Sequence, residues 1–196
     1  MRNLIKVLAF SVLIVFAFVS CAKQPAEQID AAKAAIQGVI DAKGDIYAKE
    51  EVAKLQNDLQ AAMDEINGQA KKFFKKFGNA KNMLAQVVTD ATAVKELIPG
   101  RIAEAKAAAQ TSLDEVKVAC DEATALLEKA PKGKGTKADI EAMKADLAGL
   151  VNQLTDAQSA FAAEDYLGAK EKAAAIKEKA DQIKEQVNAA IAKIRR

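Results

Sequence analysis

The chain has 196 residues, with 29 basic and 27 acidic side chains and no histidine or tryptophan. The lack of histidine excludes Ser–His–Asp and Cys–His catalysis and removes the commonest metal ligand. The near balance of charge disfavours nucleic acid as a partner, because neutralising phosphates requires a basic excess. We therefore expect a protein that is not an enzyme, with no catalytic residues, no cofactor and no metal site.

The N-terminal segment is typical of a secretory signal peptide. Arg2 and Lys6 precede an apolar run over residues 7–19, and the sequence turns polar from Ser20. The run is short for a membrane-spanning helix. We expect residues 1–20 to be a signal peptide and the rest of the chain to be exported. Its removal leaves 27 basic and 27 acidic residues, so the exported chain is formally neutral.

The residues that follow, "FVSC" at 18–21, resemble the lipobox of bacterial lipoproteins. The resemblance implies that Cys21 receives a diacylglycerol thioether and becomes the acylated N-terminus, with residues 21–25 as the lipidated end and a short linker. Phe18 stands where the lipobox usually has leucine. Ala22 after the cysteine implies the periplasmic side of the outer membrane, if the host is Gram-negative. Ordinary cleavage after Ala22 and an uncleaved anchor helix remain alternatives.

The chain has two cysteines, Cys21 and Cys120. If Cys21 is acylated, no internal disulfide can form, although the exported compartment is oxidising. Cys120 lies in "VKVACDEAT", a helical pattern without a neighbouring histidine. We expect Cys120 to be a small buried residue on a helix rather than a reactive thiol.

Ala, Lys, Glu, Gln and Leu dominate the rest of the chain, and this composition predicts helices. The prolines, Pro25, Pro99 and Pro131, are expected between helices, and Pro99 with Gly100 should break or kink one. The predicted helices span residues 26–42, 49–76, 79–98, 101–129, 138–163 and 165–194. They predict an all-α fold, either an elongated helical bundle or stacked helical hairpins.

Apolar residues in the last predicted helix recur in alternating steps of three and four, which places them on one stripe. The stripe is Tyr166, Ala169, Ala173, Ile176, Ala180, Ile183, Val187, Ala190 and Ile194. A matching stripe stands 89 residues earlier, at Phe77, Ala80, Leu84, Val87, Ala91, Val94 and Ile98. Upstream, the apolar residues of 52–66 match those of 140–154 at an offset of 88. We predict an internal duplication into two three-helix halves, repeat 1 over 26–98 and repeat 2 over 101–195.

Aromatic residues crowd together in "AKKFFKKFGNAK" at 70–81. The duplication aligns Phe77 with Tyr166, so we predict a helical corner here, with the aromatic rings covering the core. The duplication does not explain the lysines, because the second half has Glu164 and Asp165 there. We interpret the lysines as solvated charges, with contact to a membrane or a partner as the alternative. The lysines concerned are Lys71, Lys72, Lys75 and Lys76.

A second family resemblance is carried by "AKGDIYAKEEVAKLQNDLQAAM" at 42–63, which precedes the aromatic corner and an Ala-rich helix. It resembles a widespread bacterial domain of unknown function that occurs in small helical envelope lipoproteins and has tetratricopeptide-like hairpins. The matching residues are Ala42, Tyr47, Ala48, Glu51, Ala53, Leu55 and Leu59, and in the second half Phe161, Tyr166 and Ala169. The resemblance implies an envelope location and a helical fold, and it brings no activity or site.

Two functions follow as expectations. The first is a non-catalytic, lipid-anchored structural or adaptor protein that presents a helical surface to an envelope protein. The second is a helical carrier of a lipid or other apolar ligand, lined by Phe73, Phe74, Phe77, Met83 and Leu84. Ala-rich stripes pack closely and leave little room, so we prefer the first. A GKGT string within residues 131–137 lacks the strand and the longer glycine frame of a phosphate-binding loop, and we interpret it as a connection.

Overall fold

The computed structural model describes residues 23–130 and 137–194. The helices in chain order are α1 (Ala26–Asp41), α2 (Gly44–Tyr47), α3 (Lys49–Ala70), α4 (Gly78–Lys129), α5 (Lys137–Ala162) and α6 (Tyr166–Ile194). No strand occurs in these two ranges. The predicted all-α class is therefore confirmed.

Helix α3 is shorter than predicted, because it ends at Ala70 rather than at residue 76. The last buried side chain on α3 is Ile66. Helices in proteins are held mainly by packing of an apolar face, so a segment with nothing to pack against has little reason to stay helical. The next helix begins at Gly78, which leaves a loop over residues 71–77. The prediction of a corner in this stretch is confirmed.

The prediction that Pro99 and Gly100 separate two helices is wrong, because α4 continues through both residues. A proline inside a helix removes one backbone hydrogen bond and crowds the carbonyl four residues earlier. The apolar stripe is buried on both sides of this point, at Ile98 before it and at Ala105 and Ala109 after it. Packing on both sides offsets the local cost of the proline.

The chain divides into two compact units, one up to Pro99 and one from Gly100 onward. We call them unit 1 and unit 2. In unit 1, α1 packs against α3, and α2 contacts both. The buried apolar residues of unit 1 are Ala32, Ile36, Val39, Ala48, Val52, Leu55, Ala62, Ile66, Phe77, Ala80, Leu84, Val87, Ala91, Val94 and Ile98.

The connection from α1 to α2 depends on a left-handed backbone at Lys43 and on a close approach of Gly44 to α1. Lys43 has a left-handed backbone, with φ of 70°, and its N–H donates to the carbonyl of Ile40 at 2.8 Å. At Gly44, a Cβ would lie 2.5 Å from Cγ1 of Val39 and 2.6 Å from its carbonyl oxygen. Real Cβ atoms do not approach other atoms this closely. Glycine is therefore required at position 44 for the chain to turn against α1.

Unit 2 has one continuous hydrophobic core between α5, α6 and the second part of α4. Its buried members are Leu113, Val116, Ala119, Cys120, Ala123, Leu127, Ala130, Ile140, Leu147, Leu150, Ala157, Ala173, Ile176, Ala180, Ile183 and Val187. The corner between α5 and α6 is tight. Glu164 is left-handed with φ of 62°, and the N–H of Gly168 donates to Oδ1 of Asp165 at 3.0 Å. Asp165 thereby satisfies a free N–H at the start of α6.

The two predicted stripes coincide with the buried faces of the helices. All seven residues from Phe77 to Ile98 are buried, and so are their seven counterparts from Tyr166 to Val187. Farther along α6, Ala190 is half-buried. The prediction of these stripes is confirmed from Phe77 to Ile98 and from Tyr166 to Val187, whereas the burial of Ile194 lies outside what the structure describes. The internal duplication stays a prediction that this repeated burial supports.

Candidate functional site

The proposed lipid site, Cys21, lies outside the described residues, as do the signal peptide and most of the 131–137 connection. Lipidation of Cys21 therefore stays a prediction. The first described helix begins at Ala26, five residues after the cysteine. Pro25, immediately before this helix, is buried. The folded body thus starts within a few residues of the predicted anchor.

The aromatic residues of the corner divide into two groups. Phe77 is only 4 % exposed and belongs to the core of unit 1, whereas Phe73 is 86 % and Phe74 67 % exposed. The prediction that the aromatic rings cover the core is confirmed for Phe77 and is wrong for Phe73 and Phe74. The chain leaves the helical repeat at Ala70 and regains it only at Gly78, so the intervening residues do not follow the buried stripe.

The exposed part of this corner, residues 71–76, forms what we call the KKFFKK loop. The rings of Phe73 and Phe74 meet edge to face, with centroids 5.0 Å apart and planes at 86°. All four lysines of the loop are exposed. The sequence has no acidic residue between Glu65 and Asp90. The loop therefore combines two exposed apolar rings with four exposed positive charges.

The residues proposed to line an apolar ligand site are not brought together around a cavity. Phe73 and Phe74 face solvent, while Phe77 and Leu84 are packed in the core. Met83 lines a shallow groove of about 270 Å³ between α3 and α4, whose other residues include Lys54 and Asp90. This arrangement gives the carrier hypothesis no specific support.

Unit 2 carries a groove that the sequence did not reveal, with a volume of about 480 Å³ between α4 and α6. Its lining residues are Thr111, Asp114, Glu115, Val118, Ala119, Glu122, Lys177, Asp181 and Lys184. Val118 is 56 % exposed, although it is a large apolar residue. The steps of three and four between positions 111, 115, 118 and 122 are visible in the sequence, but they look like an ordinary solvated helix face.

Lys184 joins the two walls of this groove. Its Nζ lies 2.8 Å from Oε2 of Glu122 on α4 and 2.7 Å from Oδ1 of Asp181 on α6. Lys177 approaches the other oxygen of Asp181 at 3.2 Å. The hydrogen bond from Lys184 lowers the pKa of Asp181, and the bonds to Asp181 and then Glu122 raise the pKa of Lys184. Asp181 and Lys184 are therefore charged throughout the neutral range.

Cys120 lies on α4 and is buried in the core of unit 2. Burial raises the pKa of its thiol, and the nearby Asp121 carboxylate adds to the effect. A raised pKa keeps the sulfur protonated and a poor nucleophile at neutral pH. The expectation that Cys120 is a small buried residue on a helix is confirmed.

Within residues 23–130 and 137–194, no three His, Cys, Asp or Glu side chains come together as a possible metal site. No helix in that part of the chain combines the length and the apolar character needed to cross a membrane.

Comparisons with known proteins found no match among protein-family models, curated proteins or solved structures. The resemblance to tetratricopeptide-like envelope lipoproteins therefore stays a prediction. Two surfaces of the described chain combine exposed apolar residues with clustered charge, the KKFFKK loop of unit 1 and the groove of unit 2.

Proposed function

We propose that this chain is a non-catalytic, lipid-anchored structural or adaptor protein on the periplasmic side of the outer membrane. In this proposal Cys21 carries the lipid and the groove of unit 2 binds a helix of an envelope protein. The adaptor role is supported mainly by the exposure of Val118 within this groove. Lys184 holds the charged residues beside it in place through ion pairs with Glu122 and Asp181.

Val118 supports a binding role because of its surroundings. An isolated exposed apolar residue is common on protein surfaces and needs no explanation. Here, however, Val118 lies in a concave surface between two helices. Concave surfaces with an apolar centre and a charged rim are typical of sites that receive a helix. An apolar side chain of the partner would cover Val118.

The charges of the groove indicate the chemistry of the partner helix. The lining contains four carboxylates, Asp114, Glu115, Glu122 and Asp181, and two lysines. Both lysines already contact carboxylates of the groove itself, so the remaining charge is acidic. We expect the partner helix to present lysine or arginine toward Asp114 and Glu115. Its basic residues would sit one helical turn from the apolar residue that covers Val118.

The anchor is tested by changing Cys21→Ser in the full chain. We expect the variant to accumulate as an unprocessed precursor, whereas the wild-type protein partitions into detergent and labels with fatty acid. A variant that is cleaved normally and released as a soluble product would overturn the lipid anchor. That result would not bear on the groove, which is tested separately.

The groove is tested by photo-crosslinking in cells with a photoreactive amino acid at position 118. Position 167 is the matched control, because Leu167 is also a large apolar residue on a helix of unit 2 and is 44 % exposed, but it does not line this groove. We expect a discrete adduct from position 118 that is lost when Asp114 and Glu115 are changed to lysine, and no such adduct from position 167. Equal labelling from both positions, or an adduct that is indifferent to the charge reversal, would overturn the groove as the binding surface.

A further inference from the structure

The KKFFKK loop exposes an apolar surface that the folding of unit 1 does not require. Phe77, in the same corner, is buried in the core, whereas Phe73 and Phe74 are exposed and add little to core packing. The two rings contact each other and are otherwise in water. A pair of adjacent exposed phenylalanines is an apolar patch, and such patches mark surfaces that something else covers.

The charge around the rings indicates what covers them. Two lysines precede the rings and two follow, and all four are exposed. The ion pairs found within the described ranges involve other lysines. Lys81 adds a further positive charge nearby, and the first following carboxylate is Asp90. Aromatic rings that enter the boundary between headgroups and acyl chains, flanked by lysines that meet phosphates, are the composition of an interfacial membrane contact.

The position of the loop within unit 1 can be derived from two contacts. Lys54 is near the start of α3, and its Nζ lies 3.9 Å from Oδ2 of Asp90, well inside α4. Because only residues 71–77 join the end of α3 to the start of α4, the two helices run antiparallel and the loop forms one end of the unit. A Cβ at Gly38 would lie 3.5 Å from Nζ of Lys95. The C-terminal part of α1 is therefore about 25 Å along α4 from the loop, at a rise of 1.5 Å per residue.

The start of α1 consequently lies toward the end of unit 1 that carries the loop. Because α1 packs against α3 and is joined to it by a short connection, the two helices are antiparallel neighbours. Ala26 therefore lies nearer to the loop than Gly38 does. Cys21 precedes Ala26 by five residues, which span at most roughly 17 Å when extended. An acyl chain on Cys21 would thus be tethered within roughly 17 Å of Ala26.

We propose that the KKFFKK loop is a second membrane contact, specific for an anionic phospholipid surface. Phe73 and Phe74 enter the boundary between headgroups and acyl chains, and the four lysines contact lipid phosphates. The idea that the loop and the lipid anchor meet the same membrane rests on the proposed acylation of Cys21. The exposure and the charge of the loop are independent of that anchor. With both contacts in place, unit 1 stands on the membrane by the end that contains the loop.

The test uses the absence of tryptophan from the chain. Phe73→Trp places a single fluorophore in the loop, and Val151→Trp, at an exposed position of unit 2, is the control. The full chain is purified as cells process it, and its mass shows whether it is acylated. Acylated protein is reconstituted into vesicles of phosphatidylethanolamine and phosphatidylglycerol, and non-acylated protein is added to the same vesicles preformed. Phosphatidylcholine vesicles serve as the uncharged comparison.

We expect the emission of the tryptophan at position 73 to shift to shorter wavelength and to be quenched by brominated phospholipid in the anionic vesicles. High salt should reduce the quenching, and the control fluorophore should remain in water. A water-exposed fluorophore at position 73 in acylated, vesicle-bound protein overturns the loop contact and leaves the anchor standing. A mass without acyl chains overturns the anchor. Insertion of position 73 by such a chain still supports the loop contact, and its failure to insert overturns that contact as well.

The lysines are tested by changing all four to glutamine in the Phe73→Trp chain, with helix content checked by circular dichroism. Each lysine near an anionic surface contributes about fivefold to association, so we expect a loss on the order of a hundredfold or more in the loop's membrane equilibrium. Quenching that survives the four changes overturns the phosphate contact. Protection of the fluorophore only when envelope proteins are added, and not by vesicles, identifies a protein as the occupant and overturns the membrane proposal.

Discussion

Phe73 and Phe77 are four residues apart, yet Phe73 is 86 % exposed and Phe77 is 4 % exposed. Four residues is about one turn of a helix, so both rings would share a face if the segment were helical. The loop at residues 71–77 breaks that relationship. One ring is thereby assigned to the core of unit 1 and the other to solvent.

This difference predicts opposite effects on stability. Phe77→Ala should lower the free energy of unfolding by about 3–5 kcal/mol, because it removes a buried ring and leaves a cavity. Phe73→Ala should change it by no more than about 0.5 kcal/mol, as is usual for exposed positions. Urea unfolding followed by circular dichroism measures both. A large loss from Phe73→Ala would show that its ring packs against the fold.

Two glycines offer a second comparison. Gly44→Ala should destabilise the protein by about 1–3 kcal/mol, because the new methyl group would overlap Val39, including its backbone carbonyl. Gly149→Ala should instead stabilise it by about 0.5–1 kcal/mol, since α5 is regular there and no atom lies within 4 Å of the added Cβ. Thermal unfolding of the two variants should therefore shift in opposite directions. A shared direction would contradict the close approach at Gly44.

Replacing Pro99 by alanine should stabilise the protein. The residue is exposed, so its removal sacrifices no core packing. Pro99→Ala restores an N–H that can donate to the carbonyl of Lys95, and alanine is about 3 kcal/mol better than proline inside a helix. The greater freedom of the unfolded chain reduces the gain by about 0.5–1 kcal/mol. We expect a net increase of about 2 kcal/mol by chemical denaturation, and a decrease would contradict a helix that continues through this position.

The sequence predicted burial well because the helical period is local information. Val87 and Ile176 were assigned to apolar stripes from spacing alone, and both are buried. At Pro99 local propensity predicts a break, whereas packing of the apolar stripe on both sides sustains the helix. The exposure of Phe73 depends on how many residues the corner uses, which the apolar spacing does not specify. The ion pair between Lys184 and Glu122 joins residues 62 apart, so no local pattern could reveal it.

The ion pairs of the unit 2 groove predict a specific dependence of stability on pH. The pKa of Asp181 is lowered from its usual 3.8, mainly by the hydrogen bond from Lys184. Its contribution is therefore complete above pH 3.8 and is lost as the pH falls through the lower folded value. The pKa of Lys184 is raised from its usual 10.5, mainly by Asp181. Its contribution is complete below pH 10.5 and is lost as the pH rises through the higher folded value.

We therefore expect Lys184→Gln to lower the free energy of unfolding by about 0.5–1 kcal/mol, by an amount that stays constant across neutral pH. The difference from wild type should shrink at both pH extremes and in 1 M salt, where exposed charges are screened. Lys54→Gln is the matched control, because Lys54 also pairs with two carboxylates, Asp58 and Asp90, but its side chain is far more exposed. Its effect should be smaller. A Lys184→Gln loss that persists unchanged in acid and in high salt would show that the side chain acts through packing of its apolar stem against the groove rather than through its charge.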